Sequence, residues 1–242
     1  MNIDIDAERE FHNRRFAEGD SREAQLKYYW AIQSGADRYW STVRRLSANA
    51  DVLEYGCSTG ERTNELSMLA RSVHGIDISD VAIARATDQF GSSVAKFQVM
   101  DAANMSFADG SFDLVFGSGI IHHLDTRRSM QEISRVLRPS GSAVFWEPLG
   151  ANPLINLYRR FTPDARTEDE HPLLTKDFTI MREYFRTVEV SHHGLTSLAA
   201  VLLRKSSVGV PIRAALSWLD QTLFLVPGAK DLAWYSLLRL TK

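Results

Sequence analysis

The sequence has a single cysteine, Cys57, so no internal disulfide is available and a reducing compartment, the cytoplasm, is expected. It has no surplus of either charge. Twenty-eight Lys and Arg stand against 30 Asp and Glu, for a net charge of -2. Without a basic excess nothing draws the chain to a phosphate backbone, and no nucleic-acid partner is expected. No apolar run reaches the roughly 20 residues that span a bilayer. The opening residues, MNIDIDAEREFHNRRF, are charged and lack the apolar stretch of a secretory signal. Internal repeats and low-complexity segments are absent, and no metal site is expected.

What is present is ample apolar material, 44% of 242 residues, enough for one sizeable core. Residues 7–47 carry apolar and aromatic positions at helical spacing, with a break predicted at Gly19-Asp20-Ser21. From residue 51 the pattern changes. Strands are predicted at 51–55, 72–77, 96–100, 112–116 and 142–146, with helices at 62–70, 81–90 and 127–137 between them. Ser79 is placed to cap the second of these helices. Pro139 and Gly141 are placed to stop the third.

Alternating strands and helices imply an α/β fold, a doubly wound parallel sheet with helices on both faces. Right-handed crossovers put all the strand ends along one edge, where such sheets bind ligands. Gly56, Asp77, Asp101, the segment near Gly117 and Glu147 all follow strand ends. The turn Gly56-Cys57-Ser58-Thr59-Gly60 lets backbone approach a ligand. Asp77, about twenty residues on, is placed to accept both hydroxyls of a ribose. Asp77 and Asp101 also read as loop or cap acids, and Glu54 is an acid inside a strand, costly unless paired. Cys57 reads as a packing residue.

These stretches resemble the class I S-adenosylmethionine-dependent methyltransferases. VLEYGCSTGERT at 52–63 is similar to the family's first motif and GIDIS at 75–79 to its second. MDAANMSFADGSFDLVFGSGIIHHL at 100–124 is similar to the third and fourth, and RVLRPSGSAVFWEP at 135–148 to the segment that closes the core. One departure is Ser58, where the family usually has glycine. The resemblance implies a seven-stranded sheet, six strands parallel and the last antiparallel, with strands at 185–191 and 234–240 completing it. It implies S-adenosylmethionine as cofactor and divides the chain into an N-terminal helical cap (1–50), a cofactor-binding core (51–150) and a remainder (151–242) with acceptor-side insertions at 151–176 and 195–232.

Residue by residue, the resemblance assigns Glu54 to the cofactor's amino group and to orienting the loop. Gly56, Ser58 and Gly60 flank the methionine moiety, Asp77 holds the ribose and Ile78 packs on the adenine. Asp101 and the Ala102 N–H read the adenine, and Ser118 lies beside the sulfonium. Histidine suits base work near neutrality, and His122 and Glu147 match a histidine–acid pair of some sugar and small-molecule O-methyltransferases. His123 is ranked below His122, and His171 is a second candidate base. Tyr158, Arg159, Arg160, Arg166, Glu168 and Asp169 lie in the polar 147–173 segment, where the arginines suit a phosphate or carboxylate. His12, Tyr28 and Tyr29 are placed to close the pocket from the other side.

The reading is therefore methyl transfer to a small-molecule, glycan or lipid-linked acceptor at a hydroxyl oxygen. The apolar segment 195–228 reads as sheet packing, a lid, a dimer face or a peripheral membrane contact. The alternatives are an NAD-type oxidoreductase, for which the G-C-S-T-G loop lacks the G-x-G-x-x-G pattern, and a non-catalytic cofactor-binding scaffold.

Overall fold

The structure is a computed structural model that describes residues 5–18, 27–92, 94–161 and 170–242. The predicted break at Gly19-Asp20-Ser21, and Arg166, Glu168 and Asp169, lie outside the described residues, as does the side chain of Tyr158. Helices α1 (Ile5–Glu18) and α2 (Gln33–Ser47) precede the first strand. Then follow β1 (Asp51–Tyr55), α3 (Glu61–Leu66), β2 (Ser72–Asp77), α4 (Asp80–Phe90), β3 (Ala95–Val99), β4 (Phe112–Ser118) and α5 (Thr126–Val136). Next come β5 (Leu137–Pro148), α6 (Pro153–Arg160), α7 (Thr175–Tyr184), β6 (Thr187–His193), α8 (Gly209–Leu223) and β7 (Tyr235–Thr241).

The seven strands form one sheet in the order β3-β2-β1-β4-β5-β7-β6. β1, β2, β3, β4 and β5 pair in parallel; β7 runs antiparallel to both β5 and β6, so β6 shares the direction of the first five. The central strand β1 is buried from Val52 through Tyr55, as a strand covered by helices on both faces requires. On one face Leu53, Val115, Phe145 and Leu238 join α5 and α7 in a single apolar cluster. On the other, Val52, Leu114, Val144 and Leu237 pack with Tyr39 and Val43 of α2. Each such fully buried side chain contributes about 1.5–3 kcal/mol.

Local chemistry sets most boundaries. Ser79 caps α4 by accepting from Ala82 N at 3.1 Å, as its place in the sequence predicts. α3 is shorter than the predicted 62–70. β5 is longer than predicted: α5 ends at Val136 and the strand begins at once, with Leu137 opposite Phe112 before a register shift. Pro139 and Gly141 lie within that irregular entry, where Ser140 has φ 64°. The 147–173 segment holds a helix that the sequence reading left out. Asn152 starts it by accepting from Leu154 N and Ile155 N at 2.9 and 3.1 Å, with Pro153 in the first turn. Pro211 likewise lies in the first turn of α8 and does not break it. Residues 196–203 form a 3-10 helix. Among the described residues no helix is long and apolar enough to cross a membrane.

Candidate active site at the carboxyl rim

The strand order reverses direction between β1 and β4, so the crevice lies outside the carboxyl ends of these two strands. The turn after β1 has three residues in the left-handed region: Gly56 (φ 78°), Ser58 (φ 52°) and Gly60 (φ 85°). Ser58 thus adopts the conformation a glycine would take without cost; with a Cβ it costs about 1–2 kcal/mol. Asp77 compensates. Its Oδ2 accepts from Ser58 N at 2.9 Å and its Oδ1 from Ser79 N at 3.0 Å. A carboxylate has about four lone-pair positions, so two remain for ligand hydroxyls.

Glu54 is buried, and Thr63 of α3 donates its hydroxyl to Glu54 Oε2. Burial pushes the Glu54 carboxyl up to about 8, against the pull of that hydrogen bond. Gly75 allows this packing, because a Cβ there would stand 2.8 Å from Thr63 Oγ1 and 2.9 Å from Cys57. Burial raises the Cys57 thiol as well, which fits packing and not nucleophilic attack.

After β3, Asp101 Oδ1 accepts from Ala103 N at 2.8 Å and Tyr55 donates its hydroxyl to Ala102 O at 2.6 Å. Ile78 and Asp101 are half-buried, Ala102 is buried, and Ser118 is exposed at the end of β4. Gly117 has no room for a side chain, since a Cβ would meet Tyr55 O at 2.6 Å. Tyr39 donates to Gly117 O at 2.9 Å, which ties α2 to the rim. Two acids with spare acceptor capacity on adjacent strand ends, and a turn that exposes backbone, fit a nucleoside cofactor.

Beside this turn lies a second group. Glu147 is buried at the end of β5. Its Oε1 accepts from Ile120 N and Ile121 N at 2.9 and 3.1 Å, and its Oε2 lies 2.8 Å from His122 Nδ1. His122 Nε2 lies 3.1 Å from Glu170 Oε1. Burial works against the imidazolium, but hydrogen bonds and charge from Glu147 and Glu170 outweigh it and lift His122 to about 9. His171 is half-buried and donates its backbone N–H to His122 O at 2.8 Å. His123 faces α1: its Nδ1 is 3.8 Å from Glu8 Oε2, and His12 Nε2 is 3.4 Å from the same oxygen. Burial lowers the His123 pKa.

The structure therefore brings His122, Glu147, His171 and, through Glu8 and His123, His12 into one neighbourhood. Arg159 of α6 donates its guanidinium N–H groups to Leu149 O at 3.1 Å and Asn156 Oδ1 at 2.9 Å. Arg160 is exposed at the end of α6. Tyr28 is half-buried with the Lys27 ammonium 5.0 Å from its ring centre, and Tyr29 stacks on Trp234. Glu8, Glu170, Thr63 and Tyr39 were missed by the sequence reading. Glu170 ends an acidic run and Glu8 lies in a charged helix, so both read as surface. A separate open cavity of about 240 Å³ is lined in part by Arg38, His193 and Asp220.

Residues 53–145 match the family model described as a methyltransferase domain. Over 108 residues the chain is 32% identical to the O-methyltransferase cnsE of Penicillium expansum, which covers 42% of this chain and 39% of that protein. It is 27% identical over 241 residues to the 2-methyl-6-phytyl-1,4-hydroquinone methyltransferase of a Synechocystis strain, covering 88% of this chain and 70% of the relative. Among solved structures, phosphoethanolamine N-methyltransferase 2 of Haemonchus contortus, in complex with S-adenosylhomocysteine, superposes with a TM-score of 0.66 at 18% identity. That match covers 100% of this chain and 60% of the other. The chain thus spans about two fifths of the Penicillium relative.

Proposed function

We propose that this chain, whose residues 53–145 match a methyltransferase domain, uses S-adenosylmethionine to methylate a hydroxyl oxygen of a small-molecule, glycan or lipid-linked acceptor. The observation that carries the reading is the buried His122–Glu147 contact of 2.8 Å, next to the β1/β4 crevice. The Penicillium relative's name, an O-methyltransferase, supports oxygen as the acceptor atom.

The cofactor, when bound, supplies a methyl group already activated on a sulfonium. Glu54, Gly56, Ser58 and Gly60 hold its amino-acid end, Asp77 its ribose, and Ile78, Asp101 and Ala102 its base, with Ser118 at the sulfonium. The protein's main contribution is then positioning. A hydroxyl acceptor also loses a proton, and His122 Nε2 takes it. Glu147 fixes Nδ1–H and so leaves Nε2 as the basic nitrogen. In the structure Nε2 is engaged by Glu170, so the acceptor hydroxyl takes that carboxylate's place. Loss of one of the two carboxylates lowers the His122 pKa toward the range where it serves as a base. His171 is the alternate base. His12 and Tyr28, with Tyr158, Arg159 and Arg160, form the acceptor side.

Purified protein, labelled S-adenosylmethionine and a panel of hydroxylated acceptors test the proposal. Methyl transfer that falls sharply in His122→Asn, while S-adenosylhomocysteine still binds by calorimetry, supports it. Cofactor binding with no transfer to any acceptor sinks the enzyme reading in favour of a scaffold, and undiminished turnover in His122→Asn sinks the base.

A further inference from the structure

Between Lys205 and Lys230 the sequence has only two charged side chains, Arg213 and Asp220, and both turn inward. Arg213 donates to Trp30 O at 3.0 Å and lies over the Trp30 ring. Asp220 is buried, where it accepts from the backbone N–H groups of Leu195, Thr196 and Ser197. Phe224, one turn beyond Asp220, packs on the core. The inward face of α8 thus holds every charge of residues 206–229.

The outward face is uncharged and apolar. Val210, Ala214 and Trp218 follow one another at four-residue spacing on one side of the helix, and all are exposed. Trp218 is 73% exposed, Leu225 in the turn beyond α8 is 82% exposed, and Leu202 in the preceding 3-10 helix is 89% exposed. Singly exposed apolar residues need no explanation, but an indole and several aliphatic groups along one uncharged face mark a contact surface. Exposed cations flank this stretch: Arg204 and Lys205 before it and Lys230 after it, against one exposed acid, Asp231. In a chain of net charge -2, this local positive balance stands out.

We infer that this face seats on an anionic lipid bilayer. A tryptophan and aliphatic side chains enter the headgroup boundary while the flanking cations meet lipid phosphates. Strand register places this segment at the active rim. His193, which ends β6, is opposite Tyr235, and Tyr235 is opposite Pro148, next to Glu147. The excursion from Gly194 to Trp234 therefore leaves and re-enters the sheet at the edge that holds His122 and Glu147. The inference goes beyond the acceptor reading and would bring the site to a lipid surface.

The full chain, free of tags, is sedimented with vesicles of phosphatidylcholine alone or mixed with phosphatidylglycerol, without cofactor or acceptor. Expected is partitioning to the anionic vesicles about tenfold above the neutral ones, decreasing with salt. Trp218→Ser with Leu225→Ser should lose about tenfold of that binding, whereas Arg204→Gln with Lys205→Gln should remove chiefly the salt-sensitive part. All four side chains are exposed, so the variants keep the fold. No vesicle binding, or equal binding by the apolar variant, overturns the inference. A dimer in sedimentation velocity that Trp218→Ser with Leu225→Ser splits would assign the face to a second copy instead. Because neither cofactor nor acceptor is present, failure here leaves the methyl-transfer reading untouched.

Discussion

Glu147 Oε2 lies 2.8 Å from His122 Nδ1, and neither side chain reaches solvent to any extent. The other Glu147 oxygen takes two backbone N–H groups, from Ile120 and Ile121. One carboxylate therefore sets both the turn after β4 and the orientation of the imidazole that the turn carries. The arrangement gives the site a rigid partner on one side of His122 and a replaceable one, Glu170, on the other.

Replacing Glu147 by Gln should lower kcat/KM by about 10²-fold or more, the range for a general base that loses its orientation. Affinity for S-adenosylhomocysteine should fall far less, since Glu147 acts on the β1 turn through Ile120, which packs against Gly56, and not through Asp77. Steady-state kinetics beside calorimetry check this. Equal losses in both would mean that Glu147 acts only through the fold.

His122 binds its proton more tightly in the folded protein, at about 9, than in an unfolded chain, at about 6.5. Its contribution to stability is fully present below about pH 6.5 and is lost as pH rises through 9. Thermal unfolding from pH 6 to 10 should show that decline, and His122→Gln should flatten it. Glu170→Gln should shift the alkaline limb to lower pH. It should move the pH profile of kcat/KM the same way, because one of two carboxylates holding the proton is gone.

Ser58 holds a left-handed backbone, φ 52°. Ser58→Gly removes about 1–2 kcal/mol of native strain, partly offset by the larger freedom of glycine in the unfolded chain. The net expectation is a gain of about 0.5 kcal/mol in urea unfolding with unchanged cofactor affinity. A destabilised variant would show that the serine hydroxyl matters more than its backbone.

Asp77→Asn should weaken S-adenosylhomocysteine binding by about tenfold or more, the cost of a lost charge-assisted hydrogen bond. Calorimetry reads it directly. Affinity within twofold of the parent would remove Asp77 from the ribose.

At the opposite end of the strands, Asp51 accepts from Arg71 at 2.9 Å and from Arg138 at 2.8 Å, and Asp113 accepts from Arg138 at 2.7 Å. The hydrogen bond from Arg71 leads the effects that hold the Asp51 carboxyl well below the usual range. Stability from Asp51 is present above about pH 4 and is lost as pH falls further. Asp51→Asn should lower stability at pH 7 and make the acid limb shallower. An unchanged acid limb would show that the cluster is screened by solvent.

Much of the core was legible because its signals are local. β1 and β2 have the boundaries that their apolar runs and flanking turns predict, and Ser79 caps α4 as expected. α6 is hard to see in the sequence because Asn152 and Pro153 sit in a polar, charged stretch, although they are a recognisable helix start. β5 begins earlier than the sequence predicts because Pro139 and Gly141 suggest a stop, whereas the sheet accommodates them at an irregular entry. Glu8 and Glu170 were invisible as site groups, since an acid in a charged stretch looks the same whether it is solvated or turned toward a histidine.

The order of strands and helices, the turn after β1 and the acids at strand ends follow from the sequence alone, because periodicity and turn chemistry act between near neighbours. Tertiary structure alone decided that Glu170 closes on His122, that Tyr39 anchors Gly117, and that α8 turns its charges inward and leaves Trp218 outside. Such contacts join segments distant along the chain. Burial then makes them count, because a charge removed from water must find a partner wherever the fold provides one.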